Sequence, residues 1–155
     1  MHTYTVKEVI EKMDSNNPLL LQVLLAVQDA NPFNYVSAEE MADIAVALGI
    51  SRSRVFSTAS FYSEISLEPR GRHLIRVCTN APCENAGKAE LVKAIEQELN
   101  ITIGQTTADK YFTLESVNCL GACFMSPAIK IDQQIYGDLT PDKAVQIIRA
   151  MRGEG

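Results

Sequence analysis

Between residues 1 and 70 the apolar positions recur every three or four residues, the period of one face of an α-helix. Thr5 followed by Glu8 makes a capping box, with Val6, Val9, Ile10 and Met13 on one apolar face behind it. Asn17-Pro18 reads as an N-cap with proline at the first helical position. The run LLLQVLLAVQDA that follows is apolar on nearly every side, which predicts a helix buried between others, and Asn31-Pro32 ends it. Ser37 and Glu40 form a second capping box, and Met41, Ile44, Ala45 and Leu48 keep helical spacing until Gly49 stops the helix. Ser51 then caps a fourth helix running to about Phe61.

The pattern changes after LEPRGRH, residues 67–73, which carries Pro and Gly and reads as a link. His73-Leu74-Ile75-Arg76-Val77 is a short strand leading straight into Cys78. Residues 86–99 form an amphipathic helix with Leu91, Val92, Ile95 and Leu99 inward. Residues 112–118 alternate apolar and polar, as a half-buried strand should, and lead into Cys119. Residues 128–132 and 134–137 read as a hairpin, and Thr140-Pro141 opens a last helix carrying Ala144, Val145, Ile148 and Met151. The order β-α-β-β-β-α is that of a thioredoxin-like sheet. The fold class is therefore α+β: an N-terminal helical bundle at 1–70, followed by a thioredoxin-like domain at 71–155.

At 155 residues and 46% apolar composition, a real core is expected and disorder is not. The opening residues MHTYTVKEVIEKM lack the basic start and unbroken apolar stretch of a secretory signal. Nothing approaches the ~18 apolar residues that span a membrane, so direct membrane insertion is not expected. A soluble, cytoplasmic protein is expected, where thiols stay reduced. The net charge of −5 is uneven: residues 1–69 carry 4 Lys/Arg against 9 Asp/Glu, and residues 70–155 carry 10 of each. An acidic front half gives no support for nucleic-acid binding. Arg52, Arg54, Arg70, Arg72 and Arg76 could gather into a basic patch, though ordinary solvated surface is the simpler reading.

The four cysteines form two tight pairs, Cys78 with Cys83 (C-x₄-C) and Cys119 with Cys123 (C-x₃-C), each where a strand ends. In a reducing compartment such pairs favour metal over disulfide, and no C-x-x-C redox centre is present. A four-thiolate zinc site is compatible with the ligands, but the spacings are wide for a zinc ribbon. An iron–sulfur cluster suits them better, and spacing alone does not separate [2Fe–2S] from [4Fe–4S]. Asn80 and Gly121 tolerate the left-handed backbone of a tight wrap, and Pro82 fixes the chain before Cys83. A helix starting near Asn85 would present its positive end beside Cys83.

The segments RVCTNAPC, LESVNCLGAC and YGDLTP, with ASFYSEISLEPRGRH ahead of them, resemble the thioredoxin-like [2Fe–2S] subunit of NADH dehydrogenases. This is the family of the 24-kDa subunit of respiratory complex I. Its relatives include the corresponding subunits of NAD(P)-linked and electron-bifurcating hydrogenases and of formate dehydrogenases. The resemblance runs over essentially the whole chain. It implies one [2Fe–2S] cluster held by Cys78, Cys83, Cys119 and Cys123. It also implies one-electron transfer within a multisubunit NAD(P)H-linked oxidoreductase, with no catalysis by this chain alone. The expected partners are a 51-kDa-like flavoprotein subunit carrying FMN and the NAD(P)H site, and further iron–sulfur or catalytic subunits. The helical front half is the expected docking surface. A zinc-stabilised Cys₄ interaction module without a redox role is the competing class.

The loop Thr79-Asn80-Ala81-Pro82, followed by Glu84, departs from relatives that often place a Gly-Thr pair and a basic or aromatic residue there. A carboxylate beside a cluster would lower its potential by charge repulsion, whereas a solvent-facing Glu84 would not. His73 reads as a strand-end histidine rather than a ligand. Ser126-Pro127 precedes the third strand, where thioredoxin-like folds commonly hold a cis proline. Phe124 and Met125 read as core residues, with shielding of the metal as the alternative, and Phe61-Tyr62 as packing the helical part against the sheet. No G-x-G-x-x-G or G-x-x-x-x-G-K-[ST] loop is present, so nucleotide and flavin are expected on the partner.

Overall fold

The computed structural model describes residues 4–13, 17–78 and 87–153. The chain divides into two compact units, Met1–Arg70 and Gly71–Gly155.

The first unit holds α1 (Val6–Glu11), α2 (Leu20–Ala30), α3 (Ala38–Leu48) and α4 (Arg52–Phe61). Its caps follow local chemistry. The reciprocal boxes Thr5/Glu8 and Ser37/Glu40 both form, Ser51 Oγ accepts from Arg54 N–H, and Gly49 closes α3 at φ +64°. α2 departs from expectation by two residues. Its N-cap is Leu19 rather than Asn17, because the Gln22 side chain reaches back to accept the Leu19 N–H at 3.2 Å. α2 is packed among the other helices, as its composition suggests: Leu20, Leu21 and Leu25 are partly buried, and Val23, Leu24 and Val27 fully so. Those three pack with Val36, Ile44, Val55 and Ala59. A buried amide ties α2 to the chain beyond α4: Gln28 Nε2 donates to Glu64 O at 2.9 Å, and Ser66 N–H donates to Gln28 Oε1 at 2.7 Å. Buried Arg70 reaches the same unit, donating from its backbone N–H to Phe33 O and from Nε to Asn34 O, both at 2.8 Å.

The second unit is a four-stranded sheet built from β1 (His73–Cys78), β2 (Phe112–Val117), β3 (Ile129–Ile131) and β4 (Gln134–Tyr136), in the order β2-β1-β3-β4. β1 and β2 are parallel, and the helix α5 (Lys88–Leu99) makes the crossover that parallel strands require. β3 pairs antiparallel with β1 and with β4, and α6 (Pro141–Arg152) follows with Thr140 as its N-cap. Ile75, Val77, Phe112, Leu114, Ile129 and Ile131 form a core with Leu91, Ile95 and Leu99 of α5 and Ala144 and Ile148 of α6. Each fully buried side chain of this size stabilises by about 1.5–3 kcal/mol relative to exposure. This is the thioredoxin-like architecture, and Ser126-Pro127 is cis.

β2 does not alternate as its sequence suggests. Thr113 is buried, because its hydroxyl takes the Gly71 N–H at 2.6 Å and meets Thr106 Oγ1 at 2.7 Å. Residues 104–107 run along the outer edge of β2, with Gly104 N–H to Leu114 O, Leu114 N–H to Gln105 O and Thr107 N–H to Phe112 O. That cover satisfies an edge that would otherwise be open to pairing with another chain. The reading of Phe124 as a core residue fails: it is 83% exposed, and Phe61 of the first unit is also exposed, with its ring edge-on to Tyr62. Arg70 and Arg76 do not stand as free solvated surface: Arg70 is buried, and Arg76 pairs with Glu115 at 3.2 Å. No described helix is long and apolar enough to cross a membrane.

Candidate metal centre

Parallel, in-register pairing decides where the cysteines go. β1 ends at Cys78 and β2 at Val117, and these two residues are register partners. Both strands therefore leave the sheet at the same end, and Cys119 follows two residues later. Along β1, Ile75 and Val77 face the α5/α6 core, so Cys78 falls on the other face with Leu74 and Arg76. Cys78 is 2% exposed, and its Sγ stands 3.5 Å from Asn118 O.

Cys119 and Cys123 are exposed. Between them Gly121 adopts φ +70°, a conformation suited to glycine, and its N–H donates to Cys119 Sγ at 3.2 Å. A donor of this kind stabilises negative charge on sulfur. Ala122 is buried and anchors the loop, and Cys123 opens a 3₁₀ turn, Cys123–Met125. The Cys123 thiol is pushed above its ordinary value, first by loss of hydration around it and then by the thiols of Cys119 and Cys78. Those neighbours disfavour a further negative charge, a penalty that a coordinated cation removes by binding the thiols as thiolates.

The described thiols are soft donors of the kind an iron–sulfur cluster takes, and one sulfur accepts a backbone N–H. Among the described residues, no group of three or more Cys, His, Asp or Glu side chains is close enough to hold a metal ion. A [2Fe–2S] cluster takes two thiolates at each iron, so its ligands need not converge on one point. Cys83 lies outside the described residues, as do Asn80, Pro82, Glu84 and Asn85. α5 begins at Lys88, two residues later than the sequence suggests, with Gly87 at φ +88° as its N-cap. His73 is remote from the thiols: it opens β1, its Nδ1 is 2.7 Å from Asp132 Oδ2, and it is no part of this site.

Sequence reasoning missed the support behind the thiols. Asp138 N–H donates to Met125 O at 2.7 Å and Leu139 N–H to Pro127 O at 3.1 Å, so the chain after β4 holds the turn that follows Cys123. The segment YGDLTP contains these donors, yet nothing local in it signals a contact with residues 125–127. The exposure of Phe124 is missed as well, because an aromatic side chain standing in solvent leaves no periodic trace.

Comparison with known proteins identifies the family. An NADH-quinone oxidoreductase subunit of Pseudomonas aeruginosa is 45% identical over 107 residues, covering 69% of this chain and 64% of that protein. NADP-reducing hydrogenase subunit HndA of Solidesulfovibrio fructosivorans is 28% identical over 143 residues, covering 92% of this chain and 82% of its own length. The chain spans only 46% of the mitochondrial NADH dehydrogenase [ubiquinone] flavoprotein 2 of Dictyostelium discoideum, to which it is 34% identical. The crystal structure of an air-oxidised NAD⁺-reducing [NiFe]-hydrogenase shares the fold, with a TM-score of 0.73 at 23% identity, over 84% of this chain and 23% of that one. The family model for thioredoxin-like [2Fe–2S] ferredoxins matches residues 6–152, and the chain belongs to that family.

Proposed function

We propose that this chain is a one-electron carrier in a multisubunit, flavin-containing NAD(P)H-linked oxidoreductase, with a [2Fe–2S] cluster on Cys78, Cys83, Cys119 and Cys123. The observation that carries this reading is the shared exit of β1 and β2, which brings Cys78 and Cys119 to one end of the sheet near the Cys123 thiol. When bound, such a cluster takes up and releases one electron at a time. Cys78 supplies a buried anchor, and Gly121 N–H offsets charge on Cys119. Phe124, exposed and next to Cys123 in the chain, offers an apolar contact that a partner would cover.

NAD(P)H gives up a hydride, two electrons at once, and a one-electron centre cannot accept it directly. A flavin can take the hydride and release its electrons singly. The relatives named after NADH-quinone oxidoreductase and NADP-reducing hydrogenase support a nicotinamide-linked complex. FMN and NAD(P)H accordingly belong on a partner flavoprotein subunit. The acidic helical unit at 1–70 serves as its docking surface, where Phe56 and Phe61 of α4 are exposed.

Anaerobic mixing with the flavoprotein subunit and NADH, or NADPH, tests the reading. The chain alone should remain oxidised on addition of NADH or NADPH, and the flavoprotein should bring on bleaching and the EPR signal of a reduced cluster. A colourless, zinc-loaded chain unaffected by either addition would replace the carrier with a structural module. Deleting residues 1–65 should abolish co-purification with the flavoprotein yet leave the cluster in place; retained binding would move the docking surface elsewhere.

A further inference from the structure

We infer that Gly137 is a positioning residue for the candidate cluster: its missing side chain seats Met125, and this contact sets where the Cys123 turn lies. A Cβ on Gly137 would stand 2.5 Å from each of Met125 Cβ, Cγ and Sδ. Contact at Cγ and Sδ alone could be relieved by another methionine rotamer. Contact at Cβ cannot, because that atom is fixed by the backbone of residue 125. Any side chain at 137 therefore displaces the main chain two residues beyond Cys123.

Gly137 has no left-handed backbone to explain its identity, unlike Gly49, Gly121 and Gly153. Close approach is the reason for glycine here. The approach is reinforced on both sides of the contact. Tyr136 pairs with Ile129 across β4 and β3, and Asp138 N–H and Leu139 N–H bond to the carbonyls of Met125 and Pro127. Leu139 is buried in the core, and Thr140 caps α6 immediately afterwards. The 3₁₀ turn from Cys123 is thus fastened to the start of α6 through one residue-sized gap. Within the turn itself, Met125 N–H donates to Ala122 O at 3.1 Å, so a shift at 125 is passed back across Cys123.

This inference rests on the proposed cluster for one of its readouts only. In the full-length chain, Gly137→Ala should change the g-values and the midpoint potential of the reduced cluster. In metal-free protein it should alter the alkylation rate of Cys123 severalfold, read by mass spectrometry at fixed pH, while leaving that of Cys78 unchanged. The double variant Gly137→Ala with Met125→Gly removes all three clashing atoms and should return both readouts toward the wild type. Met125→Ala, which leaves its Cβ, should rescue less. Ile148→Val serves as the comparison, lowering the melting temperature by a cavity in the core without moving spectrum or alkylation. If wild-type protein carries no iron, the carrier reading fails, and the alkylation series still decides the role of Gly137. Gly137→Ala with wild-type alkylation at Cys123, or with the stability loss alone as in Ile148→Val, would overturn it.

Discussion

Where β1 begins, the sheet is closed by side chains; where β1 ends, it is closed by turns. The two places are five residues apart along one strand, roughly 17 Å. At the first, His73 Nδ1 meets Asp132 Oδ2 at 2.7 Å, Asp132 Oδ1 takes the Leu74 N–H at 2.9 Å, and Tyr111 Oη donates to Met151 O at 2.8 Å. Arg152 pairs with Asp109, and the rings of His73, Tyr111 and Phe112 pack against one another. At the second, the described chain is held chiefly by backbone hydrogen bonds at residues 122–127 and 138–139, with Cys119, Cys123 and Phe124 exposed. The far end fixes the register of the sheet. The thiol end inherits that register and is left accessible, as the proposed carrier role requires.

This contrast predicts that the two ends fail separately. Cys119→Ala should give the largest effect, loss of the cluster with helical content retained, read by iron content and circular dichroism. Loss of secondary structure instead would mean that the thiol end also supports the fold. Asp132→Ala should do the reverse. It strands the Leu74 N–H and removes the partner of His73, costing about 1–3 kcal/mol in denaturant unfolding, with the EPR spectrum of the cluster unmoved. A changed spectrum would show the two ends to be coupled.

A smaller effect separates them by pH. The hydroxyl of Thr107 and the N–H of Tyr111, then Arg152, hold the Asp109 carboxyl below its ordinary value, and Arg149 does the same for Glu98 through a bidentate pair at 2.8 Å. A carboxyl depressed in the folded state lends stability that is complete above its ordinary value and lost as pH falls through the folded one. Unfolding of the second unit should therefore become easier on acidification below the ordinary carboxylate range. Asp109→Asn should flatten that slope slightly, since these groups are largely solvent-screened. An unaltered slope would remove Asp109 from the closure of the far end.

The legibility of the chain follows the same division between local and distant causes. Thr5/Glu8, Ser37/Glu40, Ser51, Gly49 and Thr140-Pro141 state their caps within a few residues, and all of them form. The strands leading into Cys78 and Cys119 are equally plain, because each is a short apolar-rich run that ends at a cysteine pair. The failures need a partner far along the chain. Thr113 is buried by Gly71 and Thr106, Met125 is seated by Gly137, and Arg70 is taken up by Asn34. No periodicity announces such contacts. Phe61 and Phe124 show the converse: an aromatic residue in a sequence implies packing, yet both are exposed.

The central claim is that two strands leaving one end of the sheet bring the thiols into a dinuclear iron–sulfur site. Iron and acid-labile sulfide determination on the anaerobically purified full-length chain, with EPR after dithionite reduction, tests it most directly. A cluster on these cysteines predicts two irons and two sulfides per chain and a half-integer-spin signal that is absent from Cys119→Ala. Stoichiometric zinc without sulfide, and a silent spectrum, would contradict it.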